Sequence, residues 1–185
     1  MEAARILADN GSTDIISARN KAAKRLGVTN RRHLPDGRRI ESALKEYQAL
    51  FKGEQQSQAL SQLRAAAIRI MRGLHHFSPR LTGAVMEGYA DFNTPLEIHL
   101  FTERCEDVLI VLMEKADHWR VDERFYRYPD GKRELRPLYR MQEGDVEVEL
   151  SCFPELELRN RAPLSSVDGK PIRRIGLAEV ELLSL

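Results

Sequence analysis

The stretch LTGAVMEGYADFNTPLEIHLF, residues 81–101, places two glycines shortly before a segment in which apolar and polar residues alternate. In LEIHL, residues 96–100, the period of two predicts a β-strand with one apolar face and one mixed face. Gly83 and Gly88 carry no side chain, so the backbone there can turn tightly and come close to a phosphate group. The stretch therefore predicts either a phosphate-binding turn or a simple glycine-rich connection to a strand.

The chain before this stretch is predicted to be helical. Apolar residues recur at helical spacing over residues 15–26, 40–51 and 60–74. Thr13 is predicted to cap the first of these helices, and Gly27 to end it.

The polar stretch GEQQSQ, residues 53–58, is the best candidate for a break in the chain. It predicts a helical N-terminal region at residues 1–53, followed by an α+β domain at residues 54–185. The second region includes a short apolar helix around residues 177–183. Because so short a helix does not persist alone in water, it is expected to pack onto the sheet or onto a second copy of the chain.

After residue 101 the sequence pattern predicts one helix and then several strands. The helix starts after Thr102, and strands are predicted around Trp119–Tyr128, in ELRPLYRM and in VEVELSCF, with turns at PDGK and QEGD between them. VEVELSCF, residues 146–153, shows the clearest alternation in the chain. Together these elements predict an α+β protein with a mixed β-sheet flanked by helices.

Composition excludes several classes of protein. The 29 lysines and arginines nearly balance the 28 aspartates and glutamates, so no overall field attracts nucleic acid or a membrane surface. Cys105 and Cys152 lack the spacing of a zinc site, which argues for a reducing compartment, and both are expected to be small core residues. No signal-like or membrane-spanning apolar run is present in the sequence, which predicts a cytoplasmic protein without a membrane partner.

Acidic residues fall on the polar side of two predicted strands. Glu97 lies on one, and Glu147 and Glu149 lie on the other. If the strands are neighbours, these carboxylates converge and can bind a cation. The alternative is a half-exposed sheet whose charges simply face water, since alternating Val-Glu strands are common.

The combined pattern resembles the nucleotidyltransferase superfamily that includes DNA polymerase beta. Its signature is an apolar residue followed by Gly-Gly or Gly-Ser, then an acid-x-acid strand, and a third acid on a later strand. Gly83-Ala84 matches the Gly-Ser position, Gly88 the glycine that often follows, and LEIHL the acid-x-acid strand. The chain looks similar to stand-alone bacterial proteins described as nucleotidyltransferase-like, over about residues 60–153.

The resemblance implies a divalent metal, Mg²⁺ or Mn²⁺, and a nucleoside triphosphate as substrate. Glu97 would be the first acid, His99 occupies the position of the second, and Glu147 or Glu149 would be the third. The implied catalytic residues are Glu97, His99, Glu147 and Glu149, the implied metal ligands Glu97, His99 and Glu147, and the implied nucleotide-binding residues Gly83, Ala84, Gly88, Arg136 and Arg140.

Two residues depart from the family pattern. Ala84 lacks the hydroxyl group that would bind a phosphate oxygen, and His99 offers a nitrogen where Mg²⁺ prefers oxygen. Two functions therefore stay open: metal-dependent transfer of a nucleotidyl group to an unknown acceptor, or a catalytically impaired module that binds a nucleotide or nucleic acid.

A nucleic-acid partner has weaker support in the sequence. AAKRLGVTNRRH, residues 22–33, looks like the start of a helix-turn-helix, but an ordinary helical hairpin with a basic connector is the favoured interpretation. The sequence leaves the oligomeric state open.

Overall fold

The computed structural model describes residues 1–10, 14–30, 32, 34–51, 53–115 and 118–184. The α-helices in these ranges are α1 (Glu2–Asn10), α2 (Ile15–Arg25), α3 (Gly37–Phe51), α4 (Gly53–Gly73), α5 (Gly83–Glu87), α6 (Cys105–Lys115), α7 (Glu157–Asn160) and α8 (Leu177–Leu182). A 3-10 turn at His75–Phe77 follows α4. The strands are β1 (Arg80–Thr82), β2 (Leu96–Thr102), β3 (Trp119–Arg127), β4 (Arg133–Glu143) and β5 (Val146–Pro154).

The strands form one mixed sheet in the order β1-β2-β5-β4-β3. β2 and β5 run parallel at its centre, and all other neighbouring strands are antiparallel. A parallel pair needs a long crossover, which the chain supplies through α6 and the β3–β4 hairpin. The predicted α+β class is thus confirmed, with a mixed sheet flanked by helices and a helical N-terminal region.

Alternate residues of the two central strands form the middle of the core. One face of β2 and β5 is completely buried and consists of Leu96, Ile98, Leu100, Val148, Leu150 and Cys152. These side chains belong to one hydrophobic cluster with residues of α1, α2, α3, α4, α6 and α8. The opposite face carries the polar residues and a small second cluster of Phe101, Tyr126, Tyr128 and Phe153. Helices therefore cover one face fully and leave the polar face partly open.

The C-terminal helix packs back onto the protein, as predicted. Val180 of α8 is fully buried, and Arg72 of α4 pairs with Glu181 at 2.6 Å between Nη2 and Oε1. The preceding segment joins the sheet through main-chain hydrogen bonds between Leu81 and Ile175. None of the described helices is long and apolar enough to cross a membrane.

The local structure differs from the sequence prediction in several places. α1, β1, α5 and α7 were not predicted, and α5 occupies residues interpreted as a glycine-rich turn. Residues 53–58, predicted as a break, form the first turns of α4 because their polar side chains lie on its exposed side. The division of the chain at residue 53 stays a prediction. Asp14 caps α2 by accepting a hydrogen bond from the Ser17 N–H at 2.9 Å, whereas the predicted cap, Thr13, lies outside the described residues.

The two cysteines are paired, which the sequence analysis did not predict. Cys105 at the start of α6 and Cys152 of β5 form a disulfide with their Cα atoms 5.9 Å apart. They are 47 positions apart in sequence, and spacing along the chain does not reveal which helix and strand meet. The inference of a reducing compartment loses the support it drew from the cysteine pattern.

The core assignment predicts a large stability difference between two leucine substitutions. Leu150→Ala should lower the free energy of unfolding by about 2–5 kcal/mol, because Leu150 is fully buried between helices and sheet. Leu182→Ala should change it by less than about 0.5 kcal/mol, since 68% of Leu182 is exposed. Urea denaturation followed by circular dichroism measures both, and equal losses would contradict the assigned core face.

Candidate functional site

The parallel pairing of β2 and β5 brings two carboxylates together. Glu97 and Glu149 are direct partners in the register, on the sheet face opposite the main core. Neighbouring strands lie about 4.8 Å apart, so the two side chains leave the sheet side by side. The predicted convergence of acids from separate strands is therefore present, and Glu149 is the acid that meets Glu97.

Two arginines from the neighbouring strands hold this acid pair. Arg124 of β3 contacts both carboxylates, with Nη2 2.5 Å from Glu149 Oε2 and Nη1 3.8 Å from Glu97 Oε2. Arg140 of β4 places Nε 3.0 Å from Glu149 Oε1 and Nη1 3.7 Å from Asp122 Oδ2. The acid pair is therefore electrically balanced, and both guanidinium groups are partly exposed at its edge.

Gly83 packs directly against the carboxylate of Glu97. Its φ angle is +71°, and a Cβ atom built on it would lie 2.6 Å from Glu97 Oε1. The left-handed backbone favours glycine, and any larger residue at position 83 would have to displace the Glu97 carboxylate. Burial raises the pKa of Glu97, the Arg124 guanidinium opposes that rise, and the Glu149 charge adds to it.

His99 lies one step further along the same face of β2 and is almost completely buried. Arg174 donates a hydrogen bond from Nε to His99 Nδ1 at 3.0 Å, and the Tyr126 hydroxyl is 3.5 Å from Nε2. Tyr126 itself donates to Ser151 Oγ at 2.7 Å. Burial, and then the charges of Arg174 and Arg124, hold the pKa of His99 well below its usual value, so the ring is neutral.

Arg174 is fixed by contacts on several sides. Its Nη1 donates to the carbonyl oxygens of Glu157 at 3.2 Å and Arg161 at 3.3 Å. Its guanidinium carbon also lies 4.9 Å from the ring centres of both Phe101 and Phe153. The C-terminal segment thus places a permanent positive charge directly beside His99.

Three residues predicted for the site lie elsewhere or serve another purpose. Glu147 is largely exposed and pairs with Arg120 at 3.9 Å. Ala84 is buried in the main core, and Gly88 ends α5 with a left-handed backbone.

Arg136 is also separate from the acid pair. Its Nη2 contacts Glu134 and Glu157 at 2.5 and 2.6 Å, and it donates to the Tyr128 hydroxyl at 3.2 Å. Of the predicted phosphate-binding arginines, Arg140 is the one that the structure brings to the acid pair.

Arg124, Tyr126 and Arg174 were not among the predicted site residues. Arg124 and Tyr126 lie two residues apart on β3, on the sheet face that carries Glu97 and Glu149. The alternation of side chains along the strand could therefore have identified them. Arg174 lies in an irregular segment and has no such pattern. Among the residues that the structure describes, no three His, Cys, Asp or Glu side chains are grouped closely enough to hold one metal ion.

No protein-family model, curated protein or solved structure matches the chain. The resemblance to nucleotidyltransferases rests on the sequence motif alone and stays a hypothesis. Gly83, Glu97 and Glu149 are the motif positions that the structure brings together.

The close packing of Gly83 and Glu97 predicts that a methyl group added at position 83 destabilises the fold more than one added at an uncrowded glycine. Gly83→Ala should destabilise the protein by about 1–3 kcal/mol more than Gly131→Ala, because its Cβ would collide with the Glu97 carboxylate. Gly131 is the matched control, since its φ is +81° and nothing lies within 4 Å of its Cβ position. Urea denaturation of both variants measures the difference, and equal losses would show that Glu97 moves away freely.

The neutral state of His99 predicts a pH-dependent loss of stability. At pH values below 6.5, the usual pKa of histidine, His99 binds a proton in the unfolded chain. In the folded protein His99 stays neutral at these pH values. Stability is therefore lost as pH falls below 6.5, with a slope of up to about 1.4 kcal/mol per pH unit from this group. His99→Gln should reduce the dependence of the free energy of unfolding on pH between pH 6.5 and 5, measured by urea denaturation at each pH. His76→Gln, at an exposed position, is the control and should leave this dependence unchanged. Parallel curves for the wild type and His99→Gln would contradict this account.

Proposed function

We propose that the chain binds a nucleoside triphosphate together with one divalent cation, and that Glu97 and Glu149 hold the cation. The observation that supports this function is the β2–β5 register, which sets the two carboxylates side by side next to Gly83. A hard cation such as Mg²⁺ is commonly bound through one or two carboxylates and completed by water and substrate phosphates. The acid pair fits that donor set.

The position of the second acid does not fit a further cation. His99 accepts a hydrogen bond from Arg174 at Nδ1, and its Nε2 faces the Tyr126 hydroxyl. A cation at this ring would have to replace those partners beside the fixed charge of Arg174. The donor set therefore supports one cation rather than the two implied by the family resemblance.

Arg124 and Arg140 are suited to bind the phosphates. A guanidinium group presents paired N–H donors that match phosphate oxygens, and both side chains are partly exposed beside the acid pair. A bound divalent cation would supply positive charge to the carboxylates and the phosphates together. Arg124 and Arg140 would then exchange carboxylate contacts for phosphate contacts.

Nucleotidyl transfer in the two-metal mechanism needs cations on both the attacking and the leaving oxygen. Because His99 replaces the second carboxylate and is engaged by Arg174, we infer that transfer is impaired. The proposed function is accordingly nucleotide binding by a module that keeps a one-cation site. This choice selects the second of the two functions that the sequence left open.

Calorimetric titration with ATP and either Mg²⁺ or Mn²⁺ tests the proposal. Glu97→Gln and Glu149→Gln should each weaken metal-dependent ATP binding by about tenfold or more, because each removes one anionic ligand. Glu147→Gln is the matched control: it makes the same change on the same face of β5 but at an exposed residue outside the acid pair. It should leave binding unchanged.

Absence of ATP binding by the wild type would refute the proposed function, as would equal effects of all three substitutions. A labelled-nucleotide transfer assay separates binding from catalysis. Metal-dependent transfer that is abolished by Glu97→Gln would identify an active nucleotidyltransferase and overturn the binding-only conclusion.

A further inference from the structure

The two edges of the sheet are protected differently. At the β1 edge, Leu81 exchanges main-chain hydrogen bonds of 2.9 and 3.0 Å with Ile175. At the β3 edge, Leu164 donates to the Arg127 carbonyl oxygen at 2.6 Å and covers the C-terminal end of the strand. In the described part of the chain, no other segment bridges to the outer side of β3. Residues 119–125 therefore form an open edge.

The hydrogen-bonding direction of this edge follows from its partner strand. Glu123 pairs with Pro137, which has no N–H group, so Glu123 is not hydrogen-bonded to β4. Its N–H instead donates to the side chain of Asp122 at 2.8 Å. By the alternation of an antiparallel ladder, Val121 and Phe125 also direct their main-chain groups outward, in line with the outward carbonyl of Arg127.

Large apolar side chains flank the same residues. Val121 and Phe125 are 54% and 62% exposed, and Leu135, the partner of Phe125 on β4, is 39% exposed. An edge strand whose outward main-chain groups are not paired with another strand, and which carries exposed apolar residues, is a template for another strand. Its occupant can be identified from the order of residues along β3.

We propose that β3 pairs with β3 of a second copy of this chain, antiparallel and with Glu123 at the two-fold axis. In this register Val121 lies opposite Phe125 of the second copy, so the apolar residues meet. Asp122 lies opposite Arg124 of the second copy, so opposite charges meet twice. Cross-strand pairs of these kinds stabilise antiparallel sheets. The inference is independent of the proposed nucleotide binding.

The neighbouring registers are disfavoured by charge. A two-residue shift of the second copy in one direction places Asp122 opposite Asp122 of the second copy. The same shift in the other direction places Arg124 opposite Arg124 of the second copy. Like charges directly opposite one another destabilise strand pairs. The favoured register keeps one such contact, Glu123 against Glu123, at the axis. Among these three registers, only the proposed one sets Asp122 opposite Arg124, which gives two ion pairs against the one like-charge contact at the axis.

The pairing would join two sheets into one with ten strands. A two-fold axis perpendicular to the sheet keeps the polar faces of both copies on the same side. Arg124 already contacts Glu97 and Glu149, and in the pair it would also face Asp122 of the second copy. The two candidate sites would therefore lie on either side of the shared edge.

Sedimentation velocity of the whole chain over a range of concentrations tests the proposal. The wild type should dimerise, and Glu123→Pro should weaken dimerisation by about tenfold or more, because proline removes the two N–H donors at the axis. The fold of the single copy should tolerate this proline, since the Glu123 N–H points away from β4. Glu123→Ala is the matched control: it keeps the N–H and removes the like charges, so its dimer should be at least as tight.

A cysteine at the axis tests the register independently of proline. Glu123→Cys should form a dimer linked through that position on oxidation, whereas Val121→Cys should not. The two copies of residue 121 would be separated by about 13 Å along the strands. A wild type that stays monomeric at all concentrations, or crosslinking at 121 but not at 123, would overturn the proposal. If Glu123→Pro fails to fold by circular dichroism, the cysteine pair decides.

Discussion

The register between β2 and β5 determines the position of the acid pair. Leu150 and its alternate neighbours must face the helices, and this orients Glu149 toward the other side of the sheet. The same constraint acts on β2 through Ile98 and orients Glu97. A one-residue slip of either strand would turn the carboxylate of that strand into the apolar core and expose its apolar residues, so core burial opposes such a slip strongly. The site geometry is thus a consequence of core packing.

Two carboxylates side by side on a half-buried sheet face repel each other unless cations accompany them. Arg124 and Arg140 supply that charge from the next strands, and each is anchored by contact with Glu149. Removing one partner from such a cluster leaves an unpaired charge with reduced hydration. In the structure the protein's own guanidinium groups therefore satisfy the acids.

The sequence was sufficient to predict the longer helices α2, α3, α4 and α6, the strands β2 to β5 and the polar face of the sheet, because these follow from local periodicity. It also indicated that Glu97 would meet an acid of β5. It did not predict α1, β1, α5 or α7. It could not choose between Glu147 and Glu149, since the two residues have the same parity and differ only in register with β2. Arg174 and the disulfide depend on contacts between distant segments, and no local pattern encodes such contacts.

His99 explains why a family resemblance in sequence does not carry over as a whole. A carboxylate at this position would leave an anion close to Arg174, and the two would form an ion pair in a buried setting. Histidine removes the charge and still offers Arg174 an acceptor at Nδ1, while Tyr126 and Ser151 satisfy the remaining polar groups. Both ring nitrogens of His99 therefore already face a protein group. The neighbouring acid pair keeps anionic oxygens, and this contrast between adjacent positions is the physical basis for proposing one cation site in place of the two that the resemblance implies.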